Sequence, residues 1–507
     1  MYENFETASQ VWSKLDGRRQ PMIDRAERYA ALTIPTVCLP DGFIPESMDI
    51  THDWQSLGAQ ATNHVVNKLM TAMFAPSRPF FRVAEGKRTK AMAAKLGLSE
   101  TALADTLANM ERSSAKALDE RGQRPKLYTV MRHLVVAGNV LLILDNDQLR
   151  TMGLKYYCVR RNYQGKVVQL VIREKMRFCD LDEKVQALWS TKYQKDDECY
   201  YYKLINYHSR GGYHMTQWVD EARLPKEWEA RWTEDKFPYL ALTWNLADES
   251  DYGTGLVEDY AGDFEALSQL SEAIVTGGVI GTEFRWVNNP NGLTSIEDFR
   301  NSVNGDTISG NAKDVTAIAP PVTEGVKVAQ AVAQEYVQRI SRGFLMTSAV
   351  TRNAERVTAE EVRMNALELE GAFGGTYSSL APQVQKPIAQ WMLATADFDV
   401  KGSDLNIVIV TGLDALSRNG ELESLDVAFT KLAKFATAPE PLLQRTKWQE
   451  LSDFIGQGCG IDLKRFIMSE QEFAAVQQQM MAQQGALEAQ TAGATAQAEA
   501  AAQPEGI

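Results

Sequence analysis

Two helical stripes separated by a compact insert limit this fold more than anything else in the chain. In 258–276, Tyr260, Phe264, Leu267 and Ile274 recur at close to heptad spacing. In 326–346, Ala329, Val332, Tyr336, Ile340 and Phe344 run along one side. Between them 277–321 is rich in Gly, Asn, Pro and Thr, with short strand candidates at 283–287 and 315–318. Structureless loops of that length are uncommon inside compact domains, so the insert reads as a functional tip carried by a helical hairpin. An ordinary helical hairpin with a long loop is the plainer alternative.

A third helix follows. Arg352, Asn353 and Ala354 form a polar lead-in, and Thr358 with Glu361 makes a Thr-x-x-Glu capping box, in which hydroxyl and carboxylate satisfy each other's backbone amides. Val362, Ala366, Leu369, Phe373, Tyr377, Leu380 and Val384 share one stripe. One long helix is expected over 358–380, roughly 35 Å at about 1.5 Å per residue. Gly371, Gly374 and Gly375 each weaken an isolated helix by about 1 kcal/mol relative to Ala. They point to close packing or a bend, and Pro382 and Pro387 to an element that bends or ends in steps after Leu380.

Nearer the start, 7–15 and 22–31 read as two short helices, the second opened by Pro21. Residues 53–74 form a longer helix with Leu57, Ala61, Val65, Leu69 and Met73 on one face, ended by Pro76 and Pro79. Another amphipathic helix covers 98–118, and 127–137 leads into a buried strand, 140–144. From 155 the period shifts toward two: 156–160 pairs with 167–173 around Gln164-Gly165, and 200–207 with 213–219 around Gly211-Gly212. Tyr200, Tyr201, Tyr202 and Trp218 suit cross-strand packing better than base stacking, since basic residues are not concentrated beside them. Residues 405–410 read as a short buried strand, and 422–435 and 442–454 as helices broken at Pro439 and Pro441. The last stretch, 482–507, is either a solvated tail or a helix steadied by identical neighbours. The fold class expected is α+β, predominantly helical.

A chain of 507 residues is long enough for two to four domains. Its formal charge of −13 argues against tight capture of nucleic acid, which needs clustered Lys and Arg. A carboxylate-lined passage would repel phosphates and let them slide; acidity that merely keeps the protein soluble is the other reading. No apolar run reaches the length of a membrane span, and the acidic N-terminus lacks the features of a signal peptide, so synthesis and retention in the cytoplasm are expected. Cys38, Cys158, Cys179, Cys199 and Cys459 include no Cys-x-x-Cys pair, and His52, His64, His133, His208 and His214 show no metal-ligand spacing. Asp145-Asn146-Asp147 lacks the Gly and closing Glu of a calcium loop, and Gly253-Thr254-Gly255 lacks the third glycine of a dinucleotide fingerprint. Phosphate-binding, zinc-protease and nucleophile-elbow motifs are also missing. No catalytic residue, metal or cofactor is expected, and the chain reads as a non-enzyme.

The string 354–363, Ala-Glu-Arg-Val-Thr-Ala-Glu-Glu-Val-Arg, resembles the Glu-Arg-Val-Thr-Ala-x-Glu-Ile/Val signature of the portal proteins, or head-to-tail connectors, of short-tailed (podovirus-type) bacteriophages. Further blocks stand in the family's order. They are Trp54 to Ala59 with Asn63, Lys68-Leu69-Met70 and Met73-Phe74; Leu134 to Leu142; and Phe237-Pro238-Tyr239 with Asp251 to Gly255, Glu258, Asp259 and Tyr260. The likeness runs from about Thr7 to Leu416; Ala75, between Phe74 and Pro76, departs from it at a local turn.

The resemblance implies a portal fold with wing, stem, clip and crown regions. The wing would cover 1–257, with a mixed α/β part at 140–250; the stem helices 258–281 and 325–346; the clip 282–324; the tunnel loop 347–357; a long wing helix and return strand 358–415; and the crown and tail 416–507. The tunnel loop would bring Thr347, Ala349, Val350, Thr351, Arg352, Asn353 and Arg356 to a DNA channel, where Arg352 and Arg356 meet phosphates or Arg356 pairs instead with a carboxylate such as Glu360. The stem would carry Glu258, Asp263, Lys327, Arg339 and Arg342, and the clip would offer Arg285, Trp286, Asn288 and Asn289 to docking partners. The implied assembly is a dodecameric ring at one capsid vertex of the virion, the head-tail junction, through which double-stranded DNA is packaged and ejected. The implied partners are the terminase large subunit, a tail adaptor protein, and the major capsid, scaffolding and internal core proteins; no membrane is involved. A terminase- or nuclease-like DNA enzyme and an internal scaffolding protein are the alternatives. The former predicts a carboxylate cluster holding metal, the latter a more uniformly helical and charged chain.

Overall fold

The computed structural model describes residues 6–75, 79–84, 86, 89, 91, 95, 100–145, 148–189, 192–283, 285–318, 323–346, 359–395 and 406–409, with scattered positions between 426 and 455. The chain divides into two units, Met1–Gly412 and Leu413–Ile507. The second is represented only by those scattered positions, of which Ser452 and Ile455 are buried. Half of 422–435, most of 442–454 and all of 482–507 lie outside the described residues.

The first unit opens with α1 (Ala8–Leu32), started by a capping box in which the Thr7 hydroxyl accepts from the Gln10 amide and the Gln10 side chain accepts from the Thr7 amide. Two short helices meeting at Pro21 were expected; instead α1 runs through Pro21 unbroken. An internal proline costs about 3 kcal/mol. Here Val11, Trp12, Leu15, Ile23, Ala26, Tyr29 and Ala30, from both halves, are buried on one stripe, which outweighs that penalty. The Trp12 ring receives the guanidinium groups of Arg19 and Arg173, at 4.4 and 4.2 Å from its centroid. Helices α2 (Leu57–Met73), α3 (Glu100–Glu120) and α4 (Arg124–Ala137) follow, with strand β1 (Phe81–Ala84) between the first two. The main core gathers α2 and α4 around Val65, Leu69, Leu127, Val130, Met131 and Leu134.

His133 on α4 is buried with no hydrogen-bond partner for Nδ1, and burial pulls its pKa down to about 4. A histidine held neutral when folded stabilises fully above its unfolded pKa near 6.5 and loses that contribution as pH falls toward 4, a range worth roughly 3 kcal/mol. The unfolding midpoint of the purified protein should therefore drop between pH 7 and 5, and His133→Leu should flatten the slope. An equally steep slope in that variant would locate the proton elsewhere.

The strand readings hold to within a few residues. Strands β2 (Asn139–Leu144) and β3 (Leu149–Met152) form a sheet in which β2 is central and almost wholly buried. Strands β4 (Tyr157–Arg161), β5 (Val167–Arg177), β6 (Glu198–His208), β7 (Gly212–Val219), β8 (Ala222–Arg223) and β9 (Ala230–Trp232) make an antiparallel sheet in sequence order, except that β9 also pairs with β7. Short helix α5 (Glu183–Trp189) joins β5 to β6, and β10 (Tyr239–Thr243) closes the smaller sheet against β2. The aromatics of β6 pack across strands: Tyr202 stands opposite Trp218 and meets Trp12 edge-on.

Three helical pieces and a last strand end the first unit: after an intervening hairpin come residues Ala359–Phe373, Gly375–Leu380, Lys386–Thr395 and the strand Asn406–Ile409, which pairs with β1. The single long helix expected over 358–380 is thus broken. Gly374 adopts φ +52°, a left-handed turn that only glycine enters freely, and the Phe373 ring turns onto Trp244 at 5.5 Å. A π-helical turn, Ala381–Gln385, holds Pro382 and makes the second step. The stripe itself is right, since Leu369, Tyr377, Leu380 and Val384 are all buried. Thr358, the cap residue, lies outside the described residues. The described chain is mixed α+β and mostly helical.

Candidate functional site

The candidate site is the hairpin, and its seat is a backbone lock. Gly138, at φ +70°, ends α4, and Asn139 turns the chain into β2. The Asn139 amide donates to the carbonyls of Ala137 (3.0 Å) and Gly253 (2.6 Å), while its oxygen accepts from the Gly253 amide (2.8 Å). A Cβ on Gly138 would stand 2.3 Å from the Thr254 carbonyl carbon, and one on Gly255 would stand 2.7 Å from the Val135 oxygen. Two backbones touch here because neither carries a side chain.

From this lock rise α6 (Leu256–Asp259) and α7 (Ala261–Thr282). One helix beginning at Glu258 was expected; the chain instead turns at Tyr260, whose φ of −113° and ψ of 10° are not helical. The Tyr260 ring leaves the helix path to pack on Phe344 and over Gly343. The hairpin then passes through β11 (Arg285–Asn288), α8 (Ile296–Asn301) and β12 (Val315–Ile318) and returns along α9 (Thr323–Gly343). Phe264, Leu267, Ile340 and Phe344 are buried between the two long helices or at their base.

Polar ties concentrate at that base. Arg25 on α1 pairs with Glu258 at 2.6 Å, Arg28 pairs with Glu265, and Ser268 donates to Asp53. Across the hairpin Asp263 meets Arg339 at 3.0 Å. Each such partly exposed pair contributes at most about 1 kcal/mol, so they set orientation more than stability. Farther out, Val275, Val279, Ile280, Val328 and Val332 are exposed, an apolar surface on a projecting arm.

The tip is a small fold of its own. Strands β11 and β12 pair antiparallel, Arg285 opposite Ile318, and Trp286 meets Phe299 edge-on at 5.1 Å. The buried carboxylate of Asp314 accepts from the amides of Leu293 (2.8 Å) and Thr294 (3.3 Å) and from the Thr294 hydroxyl (3.2 Å). Its carbonyl accepts from the Asn289 amide at 2.8 Å. The tip is therefore held by polar bonds while Leu293, Ile296 and Val303 face outward.

The stem candidates fall apart into different duties. Asp263 and Arg339 join the two helices and Glu258 ties the base to α1, whereas Lys327, among the described residues, pairs along its own helix with Glu324 (3.2 Å). Arg342 is exposed and borders a cleft with Asp259, Trp244 and Phe373. Among the clip candidates Arg285 is exposed, Trp286 is half tip-core and half surface, and Asn288 and Asn289 shape the turn after β11. Thr347, Ala349, Val350, Thr351, Arg352, Asn353 and Arg356 lie outside the described residues. Sequence reasoning missed α8, Asp314 and the Asn139 lock. It also gave no role to Lys68, although His64 and Lys68, four apart on one helix, share a face.

Among the described residues no group of three or more His, Cys, Asp or Glu is placed to hold a metal ion, and no helix is long and apolar enough to cross a membrane. Residues 6–467 match the family described as bacteriophage head to tail connecting protein. The chain is similar to the portal protein of Enterobacteria phage SP6, 32% identical over 480 residues that span 94% of this chain and 91% of that one. It is 31% identical to the portal protein of Pseudomonas phage phiKMV, covering 96% of both chains. With the portal protein of Escherichia phage T7 it shares 29% identity across 99% of this chain and 95% of that one.

Proposed function

This chain belongs to the bacteriophage head to tail connecting protein family and is a structural portal protein of a podovirus-type phage, and from that premise we propose how its parts serve the role. Twelve copies close into a ring at one vertex of the capsid, at the head-tail junction of the virion. Double-stranded DNA passes through the central channel on packaging and again on ejection. The hairpin is the stem, its tip the clip, 347–357 the tunnel loop, the sheets and helices before residue 258 the wing, and 416–507 the crown and tail. The terminase large subunit docks on the clip and a tail adaptor later takes its place; the wing and crown meet the major capsid, scaffolding and internal core proteins. The ring acts as conduit and docking platform rather than as an enzyme.

One observation supports this reading most: an arm tied at its base to α1 and across its own two helices that exposes Val275, Val279, Ile280, Val328 and Val332 farther out and ends in a separately folded tip. A lone subunit would leave that arm uncovered. A heterologous contact repeated about an axis covers it in every copy at once. The charge of −13 favours a passage over a grip, because phosphates are repelled rather than held. Negative-stain microscopy of the purified protein should show rings with a central hole. Monodisperse monomers at high concentration, with no rings under any condition, would defeat the assignment.

A further inference from the structure

The arm's second helix ends in an unusual way. The Leu345 amide donates to the Arg342 carbonyl (3.2 Å) and the Met346 amide to the Ser341 carbonyl (2.8 Å), the paired bonds of a Schellman turn. The left-handed position in that turn, normally glycine, is Leu345 at φ +57°, a conformation that costs a side-chain-bearing residue roughly 1–2 kcal/mol. Something must hold it there. The Leu345 carbonyl accepts from His64 Nε2 at 2.9 Å and from Lys68 Nζ at 3.1 Å, both on α2. The same Lys68 ammonium, 2% exposed, donates to Glu368 at 2.8 Å. Glu368 belongs to α10 (Ala359–Phe373), the next described element after α9 in the chain.

We propose that Lys68, assisted by His64, is a positioning residue: one buried ammonium pins the exit of the arm and the helix after it to a single point on α2. Positive charge also belongs at this place, since the last carbonyls of α9 carry the negative end of its helix dipole. The arrangement makes the orientation of α9 and that of α10 depend on each other across 300 residues of sequence from their shared anchor at Lys68 to Glu368. Burial of an ion pair seldom adds net stability compared with an apolar replacement, so what such a lysine supplies is a defined geometry. The anchor does not require the channel reading, and its test stands apart from ring formation.

The test is amide hydrogen exchange on the purified full chain, comparing wild type with Lys68→Met. Exchange should rise about tenfold in peptides covering 341–346 and 364–373, which hold its described partners Leu345 and Glu368, and stay unchanged in β6 and β7. Glu368→Gln, which alters a side chain one-third exposed, serves as the second variant and decides the matter should Lys68→Met not fold. It should raise exchange about threefold in 364–373 and leave β6 and β7 alone. No rise in either variant, or a uniform rise that includes the sheet, would overturn the proposal.

Discussion

A Gly138→Ala protein should be recovered largely unfolded or aggregated. The residue sits at φ +70°, which alone costs an alanine roughly 1–2 kcal/mol. Its new methyl would also stand 2.3 Å from the Thr254 carbonyl carbon and 2.4 Å from the Gly255 nitrogen. Backbone atoms have no rotamer to escape into, so β2 and the start of α6 must separate. Overpacking of this kind typically adds 1–3 kcal/mol, and a whole domain is stable by only about 5–15 kcal/mol. The lock would also lose alignment of the three Asn139 bonds, each member of which leaves a buried partner unpaired. Gly17→Ala is the control. It lies inside α1 with nothing within 4 Å of its Cβ position, and should be neutral or stabilising by up to about 1 kcal/mol. Soluble yield and the urea midpoint report both variants; a Gly138→Ala protein with wild-type values would show that the two backbones do not meet as described.

Phe344→Ala should detach the arm from its seat. The ring is fully buried and meets Tyr260 at 5.3 Å and Phe264 at 5.5 Å, both edge-on, so it fastens the end of α9 to the start of α7. Removing a buried phenylalanine ring costs about 3–5 kcal/mol. The partly exposed ion pairs there, Asp263 to Arg339, Glu258 to Arg25 and Glu265 to Arg28, are too weak to make up the loss. Amide exchange in α7 and α9 should therefore rise far more than in the sheet from β4 to β7, and rings should be scarce in micrographs of the variant. Equal protection of the arm in wild type and variant would mean that this aromatic contact does not hold it.

Much of this was readable from residue order. Heptad-like spacing in Tyr260, Phe264 and Leu267 and in Tyr336, Ile340 and Phe344 marked both arm helices, because a helix buried on one face must repeat its apolar residues every three or four positions. The change to period two marked β4 to β7 for the same reason. Turn chemistry was legible at Gly165 and Gly212, whose φ values of +76° and +73° match the hairpins read there. The reading failed where a local rule met a distant contact. Pro21 should interrupt a helix, yet a shared buried stripe carries α1 through it. Tyr260 and Gly374 lie inside unbroken apolar patterns, yet each turns the chain because a ring finds a partner elsewhere, Tyr260 on Phe344 and Phe373 on Trp244.

The order of residues alone determined that this chain has a two-helix arm with a folded tip, a mixed sheet region before it and blocks shared with phage connectors. Those features depend on local periodicity, propensity and short motifs. Only the tertiary structure decided what fastens them together: Asn139 to Gly253 across 114 positions, Phe344 to Tyr260 and Phe264, and Lys68 to Leu345 and Glu368 across 277 and 300. Such contacts leave no repeat in the sequence, because each depends on one close approach between segments that nothing local obliges to meet.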